Sequence, residues 1–270
     1  MKFGIVMPPE DAQSIVNFAI AAEKAGWDGF FVSEGMWSVD AWVCLTAAAM
    51  RTEKICLGTL LSPLSCMRPW KLATQAATLD QLSNGRVIIS IGMGALDTGF
   101  AEFGEVLALK TRAELVDEGL HIMKALWRGE PFMHQGKHYS LDLSSHDIKV
   151  PSPVQNPRIP IWAVAAWPRP KSMRRVLQCD GIVPIIKPKD KPERPVHPED
   201  ILPIKAWLEA RRAETHPFDI VIEGQTPGSD LDKAHAILQP WQEAGATWWI
   251  ESIWDDPAAR EDRLRQGPCR

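Results

Sequence analysis

Eight short runs of the chain are almost wholly apolar: Phe3 to Met7, Gly29 to Ser33, Ile55 to Leu61, Val87 to Ile91, Ile159 to Ala165, Gly181 to Ile186, Asp219 to Glu223 and Thr247 to Glu251. They lack the polar alternation of a half-exposed strand and read as strands covered on both faces. Between them the apolar positions recur at helical spacing. Ile15, Phe18, Ala19 and Ala22 line one side of a helix over Glu10 to Ala25. Asp40 caps a helix reaching Met50. Arg68-Pro69-Trp70 opens a helix carrying Leu72, Ala76, Leu79 and Leu82, and Asn84-Gly85 ends it. Leu115, Leu120, Met123, Leu126 and Trp127 mark a long helix from Lys110 to Arg128, stopped by Gly129. Further helices are predicted over Lys171 to Gln178, Glu199 to Ala213 and Asp232 to Ala244, the last kinked at Pro240. A polar C-terminal segment closes the chain.

Strands buried on both faces and joined by helices pair in parallel. About eight strand–helix units predict a (β/α)8 TIM barrel, one domain over residues 1–270. An open doubly wound sheet is the second reading. It is disfavoured because Met7-Pro8-Pro9 stands after the first strand in place of GxGxxG. A Gly/Pro/Ser-rich excursion over about 130–158, with His134, His138 and His146, is predicted as a loop or small hairpin outside the barrel. In parallel sheets ligands bind beyond the carboxyl ends of the strands. Ser62 and Met93-Gly94, at two such ends, therefore point toward a site.

Composition narrows the function classes. The 270 residues carry a net charge of −4, and the short basic runs at Lys187–Arg194 and Arg211-Arg212 are diluted by acids, which argues against nucleic-acid binding. No stretch approaches a membrane span, and Phe3 to Met7 begins as a strand with no secretory leader, so a cytoplasmic protein is expected. The five cysteines are scattered, as reduced thiols are. Twelve tryptophans against one tyrosine fit packing for the most part, with some free to line a pocket for a flat ligand. No strand end carries a histidine, and His134 and His138 sit in a Gly-containing loop without carboxylate partners, so no metal site is expected. GxSxG is absent. Glu34 and Glu251, near predicted strand ends, remain as a general acid or a substrate anchor, or as structural caps.

One pattern runs through nearly the whole chain. Gly26-Trp27-Asp28-Gly29-Phe30-Phe31-Val32, Arg51-Thr52-Glu53-Lys54-Ile55 leading to Gly58-Thr59, Arg68-Pro69-Trp70-Lys71-Leu72-Ala73, Thr78 to Arg86, and Gly92-Met93-Gly94 follow in order. Arg112-Ala113-Glu114-Leu115, Leu126 to Phe132, Pro151 to Gln155, Ile159 to Trp162 and Asp180-Gly181 complete the series. In this the sequence resembles the bacterial-luciferase-like flavin-dependent oxidoreductases.

The resemblance implies a TIM barrel that binds reduced FMN or, alternatively, the deazaflavin coenzyme F420, with the flavin across the strand carboxyl ends. It implies a monooxygenase acting with O2 on a small organic substrate, supplied by a flavin reductase, in a chain that dimerises. The alternatives are deazaflavin-dependent hydride transfer and a non-catalytic flavin binder. By the same resemblance, a non-prolyl cis peptide falls within Leu60-Leu61-Ser62, and Thr59 to Ser62 back the ring. Met93 and Gly94 edge it, and Arg112 binds phosphate. Where relatives have Gly-Gly for the phosphate, this chain has Ala165-Ala166, with Arg169 or Lys171 to compensate in charge. Glu34 matches the acidic position after the second strand, but Gly35 replaces the histidine that follows it, leaving Glu34 as the candidate catalytic group. Trp37, Trp167, Trp248 and Trp249 are candidates for the ring or substrate pocket, together with Glu251.

Overall fold

The computed structural model describes residues 1–8, 10–144, 151–213 and 216–270; Pro9 and His146 lie outside them. Strands β1 (Lys2–Met7), β2 (Gly29–Val32), β3 (Cys56–Pro63) and β4 (Val87–Gly92) alternate with helices α1 (Ala12–Ala25), α2 (Ala41–Ala49) and α3 (Pro69–Leu82). Helix α4 (Leu109–Arg128) leads to a hairpin of β5 (Met133–Gln135) and β6 (Ser140–Asp142). Then follow β7 (Ile161–Trp167), α5 (Pro170–Val176), β8 (Gly181–Ile186), α6 (Pro198–Glu209), β9 (Asp219–Gly224), α7 (Leu231–Ala244), β10 (Trp248–Glu251) and α8 (Pro257–Gln266). The strands β1, β2, β3, β4, β7, β8, β9 and β10 close a parallel barrel, β1 pairing with both β2 and β10. The predicted TIM barrel is the fold.

Local chemistry sets the boundaries. The side chain of Asp11 accepts from the backbone N–H groups of Gln13 and Ser14, and that of Asp40 from Val43, satisfying donors the first helical turn leaves unpaired. Pro69 sits at the first position of α3. Asn84 and Gly85 both take positive φ after it. Helix α7 runs through Pro240.

Strand alternation builds two cores. Outward positions pack against the helices in one large cluster. Inward positions form a second, with Val6, Phe31, Leu60, Ile88, Trp162, Val183, Val221, Trp248 and Ile250. Three aromatics plug the lower half of the barrel: Phe31 and Trp248 each pack on Trp162 at 5.2 and 5.2 Å, and on each other at 6.0 Å, between ring centroids. Small residues make the room: a Cβ at Gly29 on the same strand would meet Phe31 at 2.7 Å, and one at Gly4 on the neighbouring β1 at 2.9 Å. The strands themselves come close at Gly58, where a Cβ would lie 1.8 Å from the Ile88 carbonyl oxygen. Part of the tryptophan excess is thus barrel filling.

Two expectations need correcting. The polar C-terminal segment is a helix, α8, packed on α1, with the Trp27 indole N–H donating to the Leu264 carbonyl. It was missed because its buried face carries Arg260 and Arg263 beside a single apolar residue, Leu264, rather than apolar residues repeating at helical spacing. Within the excursion β5 and β6 form a hairpin, and His134 and His138 do have carboxylate partners, supplied by α4. His134 lies 3.3 Å from Glu118 and His138 3.0 Å from Glu114. Glu118 also accepts from the backbone N–H groups of Lys137, His138 and Tyr139, fastening the hairpin to the helix. Among the described residues, no group of three or more His, Cys, Asp or Glu is placed to hold a metal ion, and no helix is long and apolar enough to cross a membrane.

Candidate active site

A cavity of about 460 Å³ opens at the carboxyl end of the barrel, within the usual size range of small-ligand sites. Its position follows from the plug: the large inward side chains fill the lower layers and leave the top layer open. Leu60 and Leu61 form one wall, and the peptide between them is cis. Val164, Val183, Pro184 and Ile185 form the facing wall, and Gly94, Ala95, Thr98 and Trp254 border the mouth. Gly94 holds a positive φ with Pro63 and Phe100 against it, so a Cβ there would strike both, at 2.8 and 2.7 Å.

The ionisable groups lining the cavity are Glu34 and Glu223. Glu34 stands two residues beyond Val32, the last residue of β2. Its Oε2 accepts from Ser62 Oγ at 2.6 Å, and Ser62 Oγ lies 2.8 Å from Thr59 Oγ1. Burial pushes the Glu34 carboxyl up to about 7, against the Ser62 hydrogen bond that stabilises its charged form; the Asp40 carboxylate adds to the rise. The group is therefore poised to hold or release a proton near neutrality. Gly35, also at the wall, offers no titratable side chain. A Cβ there would meet only Ser38, at 3.3 Å.

The raised value has a consequence for stability. A carboxyl whose folded-state value lies above its unfolded one stabilises the fold below the unfolded value, and that contribution is lost as pH rises through the folded value. Glu34→Gln keeps an acceptor for Ser62 and never ionises. It is expected to melt above the wild type at pH 8.5, by up to about 3 kcal/mol of stability at about 1.36 kcal/mol per unit, with the difference shrinking to a small fraction of that by pH 5 and vanishing below the unfolded value. Paired thermal melts across that range check the sign; a constant difference at both ends would contradict the assignment.

Other predicted positions fall differently. Leu60, Leu61 and Gly94 line the cavity, while Thr59 and Ser62 stand behind Glu34. Met93 packs toward the helices, and its carbonyl accepts from Ser65 Oγ and Arg112 Nη2. Arg112 is buried: Nη2 donates to the Met93 carbonyl at 2.5 Å and to the Gly94 carbonyl, and its guanidinium lies over the Phe100 ring at 4.6 Å. It holds the loop after β4 and does not line the cavity. Ala165 points into the outer core, and the N–H of Ala166 donates to Ser172 Oγ. Arg169 donates to the Pro188 carbonyl, and Trp167 packs edge-on to Trp207.

Trp37 is exposed at the rim, against Phe103 at 5.8 Å and over Gly99. The structure corrects three pocket assignments. Trp248 belongs to the barrel plug, packed on Phe31 and Trp162, and does not line the cavity. Trp249 faces outward, where its indole N–H donates to Glu251. Glu251 is fully buried outside the barrel, bound to Arg263 and to the backbone N–H of Thr226. The residues that sequence reasoning missed are Glu223 and Trp254. Glu223 had a readable signal: in Val221-Ile222-Glu223 it shares the inward parity of Val221, so it is a charge on the inner face of a buried strand.

A closed parallel barrel with a carboxyl-bearing cavity at its carboxyl end is the arrangement in which TIM-barrel proteins carry their active sites. The chain belongs to the luciferase-like monooxygenase family, whose model matches residues 1–197. It is 32% identical, over 68% of this chain and 55% of the relative, to a Mycobacterium tuberculosis protein named as a coenzyme F420-dependent oxidoreductase. It is 30% identical, over 58% of this chain and 48% of the relative, to an F420-dependent glucose-6-phosphate dehydrogenase of Amycolatopsis mediterranei. The chain thus spans about half the length of the curated relatives it matches. Its fold superposes, with a TM-score of 0.75 at 18% identity and over 98% of this chain and 96% of the other, on the oxygenating constituent of 3,6-diketocamphane monooxygenase from Pseudomonas putida in complex with FMN.

Proposed function

We propose that the chain is an oxidoreductase that holds the tricyclic ring of a deazaflavin in the cavity and reduces a small organic substrate beside Glu34. The observation that carries the reading is Glu34: a carboxyl near half-protonation at neutral pH, fixed by Ser62, on the wall of an apolar cavity at the strand carboxyl ends. The cavity fits a flat apolar ring, with Leu60 and Leu61 on one side and Val164, Val183 and Ile185 on the other. The phosphate end fits less fully. The Ala166 N–H and Arg169 have protein partners, Arg112 gives its Nη2 to two backbone carbonyls while its buried Nε is unpartnered, and the Ser172 hydroxyl keeps a hydrogen to donate. The deazaflavin is preferred over FMN because the two curated relatives are named for F420 dependence.

When bound, the cofactor supplies a hydride equivalent. The chain's own groups do the rest. The two apolar walls exclude water and align the ring and substrate. Protonated Glu34 donates its proton to the substrate atom that becomes negative as the hydride arrives, and recovers it from solvent. Ser62 keeps the carboxyl in one orientation, and Thr59 keeps Ser62.

Anaerobic titration of the purified chain with reduced F420 and with reduced FMN tests the reading. Micromolar binding of reduced F420, and weaker binding of FMN, is expected. Preferential binding of FMN with O2 consumption beyond that of free flavin would replace the reading by the monooxygenase one. Binding of neither below about a millimolar, a weak-complex value, would end it.

A further inference from the structure

Glu223 stands apart from every other charged group near the cavity. It occupies the last inward position of β9, above Val221 of the inner core. Its carboxyl lines the cavity beside Pro184 and Ile185. Among the described residues it makes no hydrogen bond and no ion pair, and Glu34, by contrast, is tied to Ser62. The described lining residues include no lysine, arginine or histidine. The aromatic Trp254 borders the same mouth.

Glu223 is exposed to the open cavity and solvated there; a ligand that fills the cavity between the apolar walls would strip that water, and a carboxylate desolvated in this way needs a counter-charge. The fold supplies none, so a ligand is the remaining source. A negative group there would be repelled by Glu223 and would find no cation on the walls. A sugar phosphate, the substrate class named for the Amycolatopsis relative, is thus unsuited to this lining. A protonated amine on an apolar skeleton meets both demands: the carbon frame covers Val183, Pro184 and Ile185, and the ammonium reaches the carboxylate.

We propose that Glu223 is the specificity residue of the cavity and that the substrate carries a basic amine, which Glu223 binds as an ammonium. The inference rests on the reading that this cavity is where the reaction takes place. Partial desolvation by the protein around the cavity raises the Glu223 carboxyl above its ordinary value, and a bound ammonium would bring it back down. Electrostatic discrimination of this kind rejects wrong partners as much as it attracts the right one.

Three probes with one skeleton test it: benzylamine, benzyl alcohol and benzoate, each titrated by calorimetry against the full chain without cofactor. Benzylamine is expected to bind at least about tenfold tighter than benzoate, as a charge-assisted contact implies. Its preference over benzyl alcohol should disappear in Glu223→Gln and be partly kept in Glu223→Asp. Glu223 has no protein partner to lose, so both variants should stay folded, and Glu223→Gln should melt at or above the wild type, because a carboxyl raised by desolvation costs stability once ionised. Benzoate binding as tightly as benzylamine, Glu223→Gln retaining the amine preference, or binding of none of the probes below about 10 mM would each overturn the proposal. The probes are read without cofactor. A chain that binds reduced F420 but ranks benzoate with benzylamine therefore loses this inference alone, and one that prefers benzylamine but binds no cofactor loses the oxidoreductase reading alone.

Discussion

Glu34→Gln is expected to lower turnover by about 10²–10⁴-fold, the usual contribution of a positioned general acid, while leaving cofactor affinity nearly unchanged. The amide fills the same volume and still accepts from Ser62 Oγ, so the loss falls on the proton and not on the shape of the wall. The pH profile separates the two. In the proposed role the carboxyl acts in its protonated form, and burial raises it to about 7, so wild-type turnover should fall as pH rises through that value. The variant has no group to lose, and its residual rate should be flat across the same range. Stopped-flow oxidation of reduced cofactor in the presence of substrate, from pH 5.5 to 8.5, gives both results. A variant within threefold of wild type, or one that keeps the alkaline fall, would move the proton donor elsewhere. The same substitution is expected to stabilise the fold at alkaline pH, which would show that the buried carboxyl is kept for chemistry at a cost in stability.

Arg263→Met is expected to destabilise the protein by about 3–5 kcal/mol, the penalty for stranding one member of a buried ion pair. Glu251 and Arg263 are both shielded from solvent, with Nη2 3.2 Å from the carboxylate. The guanidinium also donates to the Thr226 carbonyl and hydroxyl and to the Gly267 carbonyl, and lies over the Trp27 ring at 4.9 Å. Removing it leaves the Glu251 charge with the Thr226 and Trp249 donors only. The double variant Glu251→Leu with Arg263→Met should recover much of the loss, because no charge is then stranded. Urea denaturation of the two singles and the double closes the cycle. A single variant within about 1 kcal/mol of wild type, the range of an exposed pair, would show that the network is not the clasp that binds α8 to the barrel.

These two glutamates show what the sequence could and could not reveal. Glu34 and Glu251 both stand near strand ends, and composition treats them alike. The barrel separates them: Glu34 faces the cavity, whereas Glu251 has the outward parity of Trp249 and meets an arginine 12 residues on. The strands and most helices were legible because apolar runs and helical spacing follow directly from burial. Helix α8 was not, since its buried face is mostly two arginines, Arg260 and Arg263, whose partners include Glu10 ahead of α1, the Ile253 carbonyl after β10, Thr226 after β9 and Glu251. The cis peptide at Leu60–Leu61 stands where the family resemblance located it. Arg112 was legible as a charged residue on the fourth helix, but the two carbonyls that take its donors come from the loop after β4, a contact no spacing rule supplies. Glu223 was legible in principle from strand parity alone.

The most direct test of the account is whether the ring occupies the cavity between Leu61 and Val164. Val164→Trp would fill that space from the β7 wall without touching Glu34, Ser62 or the Arg112 clasp. Quenching of tryptophan fluorescence by oxidised F420 should report tight binding to the wild type and at least about tenfold weaker binding to the variant, a loss of about 1.4 kcal/mol or more, at an unchanged melting temperature. Equal affinities in two equally stable proteins would place the cofactor elsewhere and contradict the assignment of this cavity.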